Sequence, residues 1–379
     1  MSTFRYRKLK AIWGGRLKTR KSSRLPKGLR IFFIVISSLI GGVLLLAVGI
    51  AGTALYLNSS PAGPPLARGN FAGARLEADG TVIFEVREGE SAIAVGRRLE
   101  QSGLIRSRVF WDLLSRYEKD YLKTGSYRLA VPASQTEIRA VLVEGKQILL
   151  RVTIPEGITL KKAASILDQS GICQAGDFLG AASDPEIVLS YNIPGKTMEG
   201  YLYPETYFFP GSFPAGKVVK TMADTFFNRV LEIAPESKSL SQRELNDAII
   251  LASIIEREYR VEEEASIMAG VFYNRIKINM PLESCATVEY IITEIQGKKH
   301  PHVLYYADIE IKDPYNTYIN PGYPPGPISF PGRIALNAAF HPAETDYLFF
   351  RLVDETTGRH YFSKTFDAHI KAGALFVKG

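Results

Sequence analysis

From Ile31 to Leu57 the chain runs for 27 residues without a charged side chain, and none appears again until Arg68. At about 1.5 Å per residue, a helix of that length extends roughly 40 Å, enough to cross a hydrocarbon layer of about 30 Å with some tilt. A cleaved signal peptide is the rival reading, but its apolar region is typically about 7 to 15 residues long. The length therefore points to a retained anchor.

Charge is distributed around that span in a way that sets its expected orientation. Residues 1–30 hold eleven basic side chains and no acidic one. The whole chain has 46 Lys and Arg against 39 Asp and Glu, so the 35 basic residues downstream face all 39 acidic ones, and the formal +7 belongs to the tail. By the positive-inside rule the tail is expected in the cytoplasm, with the span in the inner membrane, Tyr56 near its far interface and the rest exported. That reading gives no support to a nucleic-acid partner and directs attention to cell-envelope polymers. Two cysteines, Cys173 and Cys285, are too few for a disulfide framework or a thiolate zinc cluster. No glycine-rich phosphate cradle occurs, and no cofactor is expected.

The exported part divides by composition. Residues 58–80 include the Pro/Gly-rich stretch Ser59 to Gly73 and read as a linker. Residues 81–182 contain a two-copy repeat offset by 68 positions, with identities at Glu88/Glu156, Gly89/Gly157, Leu99/Leu167, Gln101/Gln169, Ser102/Ser170 and Gly103/Gly171. Each copy predicts a β-branched strand (Thr81 to Val86, Ile148 to Ile154), a Gly turn, a capped amphipathic helix and a glycine stop. Ser91 and Thr159 are the expected caps. Between the copies, a strand from Gly125 and a helix over Ser134 to Glu144 are predicted. The first copy resembles a LysM-like peptidoglycan-binding module, and a scaffold without ligand fits the same residues. Residues 183–379 form the larger domain, in which thirteen of the 19 tyrosines lie beyond residue 200. Those tyrosines suit core packing or stacking on sugar faces.

Ser241-Gln-Arg-Glu244 is a capping-box pattern opening a helix to about Tyr259. Leu245, Ile249, Ala252 and Ile255 predict its buried stripe. Glu256 stands seven residues after Ile249 and four after Ala252, which places a carboxyl group on that apolar side. Desolvation there keeps a carboxyl protonated toward neutral pH, as a general acid for glycosidic cleavage requires. A structural ion pair with Arg257 or Arg275 is the competing expectation. Glu258 is a weaker candidate, and Glu262, Glu263 and Glu264 read as the solvated first turn of the next helix.

Several ordered blocks together resemble the membrane-bound endolytic murein transglycosylases, the MltG/YceG-like family. They are Glu199-Gly-Tyr-Leu-Tyr-Pro-Glu-Thr-Tyr207, Leu251-Ala-Ser-Ile-Ile-Glu-Arg-Glu258, Ala269-Gly-Val-Phe-Tyr-Asn-Arg275, Asp313-Pro-Tyr-Asn-Thr-Tyr318 with Gly322-Tyr-Pro-Pro-Gly-Pro-Ile328, and His360-Tyr-Phe-Ser363 with His369. The resemblance spans roughly residues 81–371. It implies an α+β fold: one transmembrane helix, LysM-like α/β units, then a mixed lytic domain. It also implies Glu256 as acid/base in a lyase that cleaves the MurNAc to GlcNAc β-1,4 bond within nascent strands and leaves 1,6-anhydromuramoyl ends. Penicillin-binding synthases are the implied partners. Glu205, Tyr207, Asn274, Tyr315, Asn316 and Tyr318 are the expected substrate-binding residues, with a packed structural loop as the alternative for individual members. One block departs from the family pattern: Cys285 and Ala286 in Leu282-Glu-Ser-Cys-Ala-Thr-Val288 stand where an acid and a proline are usual. Cys285 could also pair with Cys173.

Two other readings compete. All five histidines, His300, His302, His341, His360 and His369, fall in the last 80 residues and raise a metal-dependent envelope amidase, although no HExxH pattern is present. A membrane-tethered glycan-binding scaffold without chemistry is the other.

Overall fold

The computed structural model describes residues 26–61, 74–118, 120–301 and 303–375. Most of the basic tail and of the expected linker lies outside these residues.

The apolar run becomes a single helix, α1 (Lys27–Asn58), with no buried residue. An uninterrupted apolar surface of this length has no protein to cover it, and it meets the length and composition needed to cross a membrane. Its last turn is tied to the domain that follows. Gln135 Nε2 donates to Leu57 O at 2.7 Å, and Arg106 donates to Tyr56 Oη at 3.0 Å and Ser60 O at 2.7 Å. The Gln135 donor satisfies a carbonyl that the helix end leaves open, and Arg106 ties the Tyr56 ring and the segment just past the helix to the same domain.

The first α/β unit is β1 (Ala74–Leu76), β2 (Val82–Val86), α2 (Ala92–Gln101), α3 (Arg108–Glu118), β3 (Gly125–Leu129) and α4 (Gln135–Glu144). Its three strands are antiparallel in the order β1-β2-β3. The expectation of a linker through residue 80 is corrected here, because β1 buries Ala74 and pairs with β2. Ser91 caps α2 as expected, its side chain accepting from Ala94 N. Phe84, Leu99, Trp111, Tyr127 and Leu142 form a self-contained core.

The second copy repeats the strand-helix start and reaches its closing strand by a longer path with one more helix. It comprises β4 (Leu149–Thr153), α5 (Leu160–Gln169), α6 (Ala175–Ala182), α7 (Pro185–Ser190) and β5 (Thr206–Pro210), with β4 and β5 antiparallel in the register Arg151↔Phe208. The closing strand therefore lies beyond the 182/183 division expected from sequence. Moreover, Val152, Leu160, Ala163 and Leu167 share one hydrophobic core with Ile255, Phe330 and Leu336. The division between cores falls between Leu142 and Val152. Composition did not mark it because each repeat copy has its own apolar stripe, whichever neighbour covers it.

The remaining elements are α8 (Ala215–Ile233), α9 (Gln242–Glu258), α10 (Glu262–Lys277), α11 (Cys285–Tyr290), α12 (Tyr306–Ile309), α13 (Arg333–Phe340), β6 (Phe349–Asp354), β7 (Arg359–Ser363) and α14 (Phe366–Leu375). Helix α9 packs against α13, α10 and α11, and β6 and β7 form an antiparallel hairpin. One acidic residue departs from its expected place. Glu262 and Glu263 are exposed, but Glu264 is buried and accepts from the His360 backbone N–H at 3.1 Å, with His360 Nδ1 2.8 Å away. This glutamate fastens the hairpin to α10 and is not part of a solvated turn.

Candidate active site

The capping box on α9 forms: Ser241 Oγ accepts from Glu244 N, and Glu244 Oε2 accepts from Ser241 N at 2.8 Å. From Ala248 to Ile255 every residue of the helix is buried. The expected stripe has widened to the whole circumference because neighbouring helices and loops enclose this stretch. Glu256 is the first residue beyond it and is only partly covered.

Two backbone segments close over that position. One is the strap leading into α13. Ser253 Oγ donates to Ile250 O and accepts from Ile328 N at 3.0 Å, and Ser329 Oγ donates to Ser253 O at 2.9 Å. These bonds align the strap with α9, so that Gly332 N donates to Glu256 Oε2 at 2.8 Å. The other is the Pro155-Glu156-Gly157 turn of the second repeat copy. Gly157 N donates to Phe330 O at 2.9 Å, and Phe330 N donates to Ile158 O at 2.8 Å. Gly157, at φ +70°, lies so near that a Cβ there would stand 3.6 Å from Glu256 Cγ. The repeat thus helps build the wall of the site.

Burial pushes the Glu256 carboxyl up to about 8. The Gly332 N–H opposes this, and the neighbouring Glu156 charge adds to it. Neither expected cationic partner is there. Arg257 turns to Glu289 at 2.9 Å, whereas Arg275 bonds to Glu283 at 2.9 Å and to the carbonyls of Pro281, Leu282 and Leu348. Among the described residues Glu256 has no ion pair and no hydrogen-bond donor besides Gly332. On the far side of Glu156 and Arg333 opens a cavity of about 560 Å³, lined by Glu156, Glu262, Ser266, Arg333 and Asn337 among others, with Glu256 behind rather than on its wall. The raised Glu256 carboxyl can hold and release a proton toward neutral pH.

The other expected site residues are each engaged by neighbouring groups of the fold. Tyr207 is buried, and its hydroxyl donates to Tyr203 O at 2.7 Å. Asn274 donates to Thr345 O and Tyr347 O, and buried Asn316 donates to Ile309 O and Ile311 O. Glu205 pairs with Arg229 at 3.0 Å. Tyr315 packs its ring against Tyr290, 5.1 Å between centroids, and the Tyr318 hydroxyl meets Cys285 Sγ at 3.0 Å. Both cysteines are free thiols, which corrects the possible Cys173–Cys285 bridge.

Three other carboxyls, Glu199, Asp247 and Glu258, are raised mainly by burial. Glu199, pushed up to about 8, accepts from Leu160 N at the start of α5, and Glu258 accepts from Ser284 Oγ. Sequence reasoning singled out neither Gly332 nor Glu156 as part of the site. The only signal for Glu156 was its repeat identity with Glu88. His341 pairs with Glu236 and His300 lies 3.3 Å from Glu289, while His302 is outside the described residues. Among the described residues, no three His, Cys, Asp or Glu side chains gather as a metal-binding group.

The YceG-like family model matches residues 84–374. The chain belongs to the YceG-like family. An endolytic murein transglycosylase of Streptococcus pneumoniae D39 is 28% identical over 323 residues, covering 76% of this chain and 57% of its own length. The chain thus spans a little over half the length of that relative. A Bacillus subtilis protein of the same name is 29% identical over 315 residues, covering 78% of this chain and 85% of its own. A solved YceG-like protein from Listeria monocytogenes shares 32% identity at a TM-score of 0.51, covering 77% of this chain and 98% of its own. The family match takes in both repeat copies and the α9 site.

Proposed function

We propose that the protein is an endolytic peptidoglycan lyase, cutting the MurNAc to GlcNAc β-1,4 bond inside glycan strands with Glu256 as acid and then base. The observation that carries this reading is Glu256 itself, a carboxyl pushed up to about 8, held by one backbone N–H and without a cationic partner among the described residues. Glu256 donates its proton to the leaving glycosidic oxygen as the C1–O bond breaks. The resulting carboxylate then takes the proton of the sugar's own 6-hydroxyl, whose oxygen closes on C1 to form the 1,6-anhydro ring. One carboxyl completes both transfers and returns to its starting state. The two relatives named endolytic murein transglycosylase support the same reading.

In this proposal α1 is a single-pass inner-membrane anchor. The basic tail remains cytoplasmic, the folded part faces the envelope, and strand-elongating synthases of the penicillin-binding class are its neighbours. The LysM-like first unit, from β1 through α4, then lies between membrane and cleavage center, where it can hold the strand being cut.

Digestion of intact glycan strands by the wild type and by Glu256→Gln tests the assignment. Wild type is expected to shorten strands internally, and the variant to leave their length distribution unchanged. Equal shortening by both would remove Glu256 from the chemistry.

A further inference from the structure

Glu156 occupies the tip of the turn between β4 and α5, and Gly332 is pinned between this residue and Glu256. The Gly332 N–H reaches Glu256 Oε2 at 2.8 Å, while a Cβ built on Gly332 would overlap the Glu156 carboxylate. One hydrogen bond, one N–Cα bond and one van der Waals contact therefore link the two carboxyl groups, leaving their nearest oxygens no more than about 8 Å apart. The turn is held there by the paired backbone bonds between Gly157, Ile158 and Phe330. Glu156 is exposed to the cavity and makes no hydrogen bond or ion pair with another described residue.

The surrounding charges leave this carboxylate as the near neighbour of Glu256. On α9, Arg257 is engaged by Glu289, and Tyr259, just past the end of that helix, feels both Glu256 and Glu156. At the start of α10, Glu262 adds negative charge around Tyr259. Arg333, at the start of α13, and Arg229, on α8, act on Tyr203, and Arg229 is paired with Glu205. None of these cations forms an ion pair with either Glu156 or Glu256.

We propose that Glu156 is a positioning residue of the cleavage center, its carboxylate held across Gly332 from Glu256 by the docked turn so that its negative charge adds to burial in favouring the acid form. This rests on the assignment of Glu256 as the acid. It gives the two repeat copies different uses. Glu88, the counterpart in the first unit, is exposed 3.6 Å from Lys217 and belongs to a separate surface. The glutamate of the second copy has been placed at the site by docking its turn on the strap.

The test is the pH profile of glycan cleavage by the full-length protein in detergent, for wild type, Glu156→Gln, Glu156→Asp and Glu88→Gln. Removing the charge lowers the pH at which Glu256 loses its proton, so the basic limb of kcat/KM for Glu156→Gln should move down by about one pH unit. Glu156→Asp should remain nearer the wild type, and Glu88→Gln should coincide with it. A Glu156→Gln profile that superimposes on the wild type, moves upward, or falls equally at every pH would overturn the proposal. A second readout does not depend on turnover: the pH dependence of the stability difference between Glu256→Gln and its parent, measured with and without Glu156→Gln. The charge account requires that dependence to move to lower pH in the Glu156→Gln background, and an unmoved curve contradicts it. Full activity in Glu256→Gln would instead defeat the assignment of the acid, with the stability comparison still reporting on Glu156.

Discussion

Ser253 and Ile328 are joined by a buried hydrogen bond of 3.0 Å, and this bond fixes the strap whose last residue, Gly332, holds the Glu256 carboxylate. Position at the site is thus controlled one helical turn upstream of the acid. Ser253→Ala leaves the Ile328 N–H buried without its acceptor, at a cost of about 1–3 kcal/mol. A lower melting temperature together with a reduced kcat is expected. A normal kcat in a destabilized protein would show that the strap stabilizes the fold without setting the site.

Protonation of Glu256 gives the activity a basic limit. Cleavage needs the acid form, so kcat/KM should decline as pH rises through about 8. A pH series on defined strands checks this, and a limb near the ordinary glutamate range would contradict it.

The same shift makes the acid a stability cost under alkaline conditions. Its ordinary value is 4.5 and its folded value about 8, so the contribution of the protonated group is complete below 4.5 and is lost as pH rises through 8. Glu256→Gln cannot ionize and should gain on the wild type across that window. Allowing for partial exposure, the gain at pH 9 is about 2 kcal/mol. Denaturant melts at pH 5 and pH 9 measure it, with little difference expected at pH 5.

Arg275 is a buried guanidinium that binds three carbonyls and Glu283, clamping α10 to the segment before α11 and to the hairpin. Arg275→Ala should cost about 3–5 kcal/mol by leaving those carbonyls without donors. Thermal melting checks the size of the loss, and a loss below about 1 kcal/mol would contradict the clamp.

Cys173 and Cys285 are separate thiols, and Cys285 Sγ lies 3.0 Å from the Tyr318 hydroxyl. Two thiols per chain should titrate after unfolding without reductant. A count of zero would establish the bridge that the structure lacks.

Much of this organization was legible in the sequence because it depends on local patterns. The apolar run gave α1, and repeated glycines and caps gave both strand-helix starts. The capping box at Ser241 located α9, and the buried stripe placed Glu256 on its apolar side. What remained hidden depends on contacts distant in sequence. Nothing local indicates that the second repeat copy joins the core of Ile255 and Phe330, or that Gly157 and Gly332 meet at Glu256. Amide and phenol groups raised a similar ambiguity. Asn274, Asn316 and Tyr207 have side chains suited to a sugar, yet they bond to backbone carbonyls. Residue type alone does not distinguish a groove from a clamp.

The most direct measurement of the central claim is mass analysis of the new ends made when the full-length protein digests intact glycan strands, with Glu256→Gln as the blank. The account predicts internal fragments bearing 1,6-anhydromuramoyl ends from the wild type and none from the variant. Hydrated reducing ends from the wild type would contradict it.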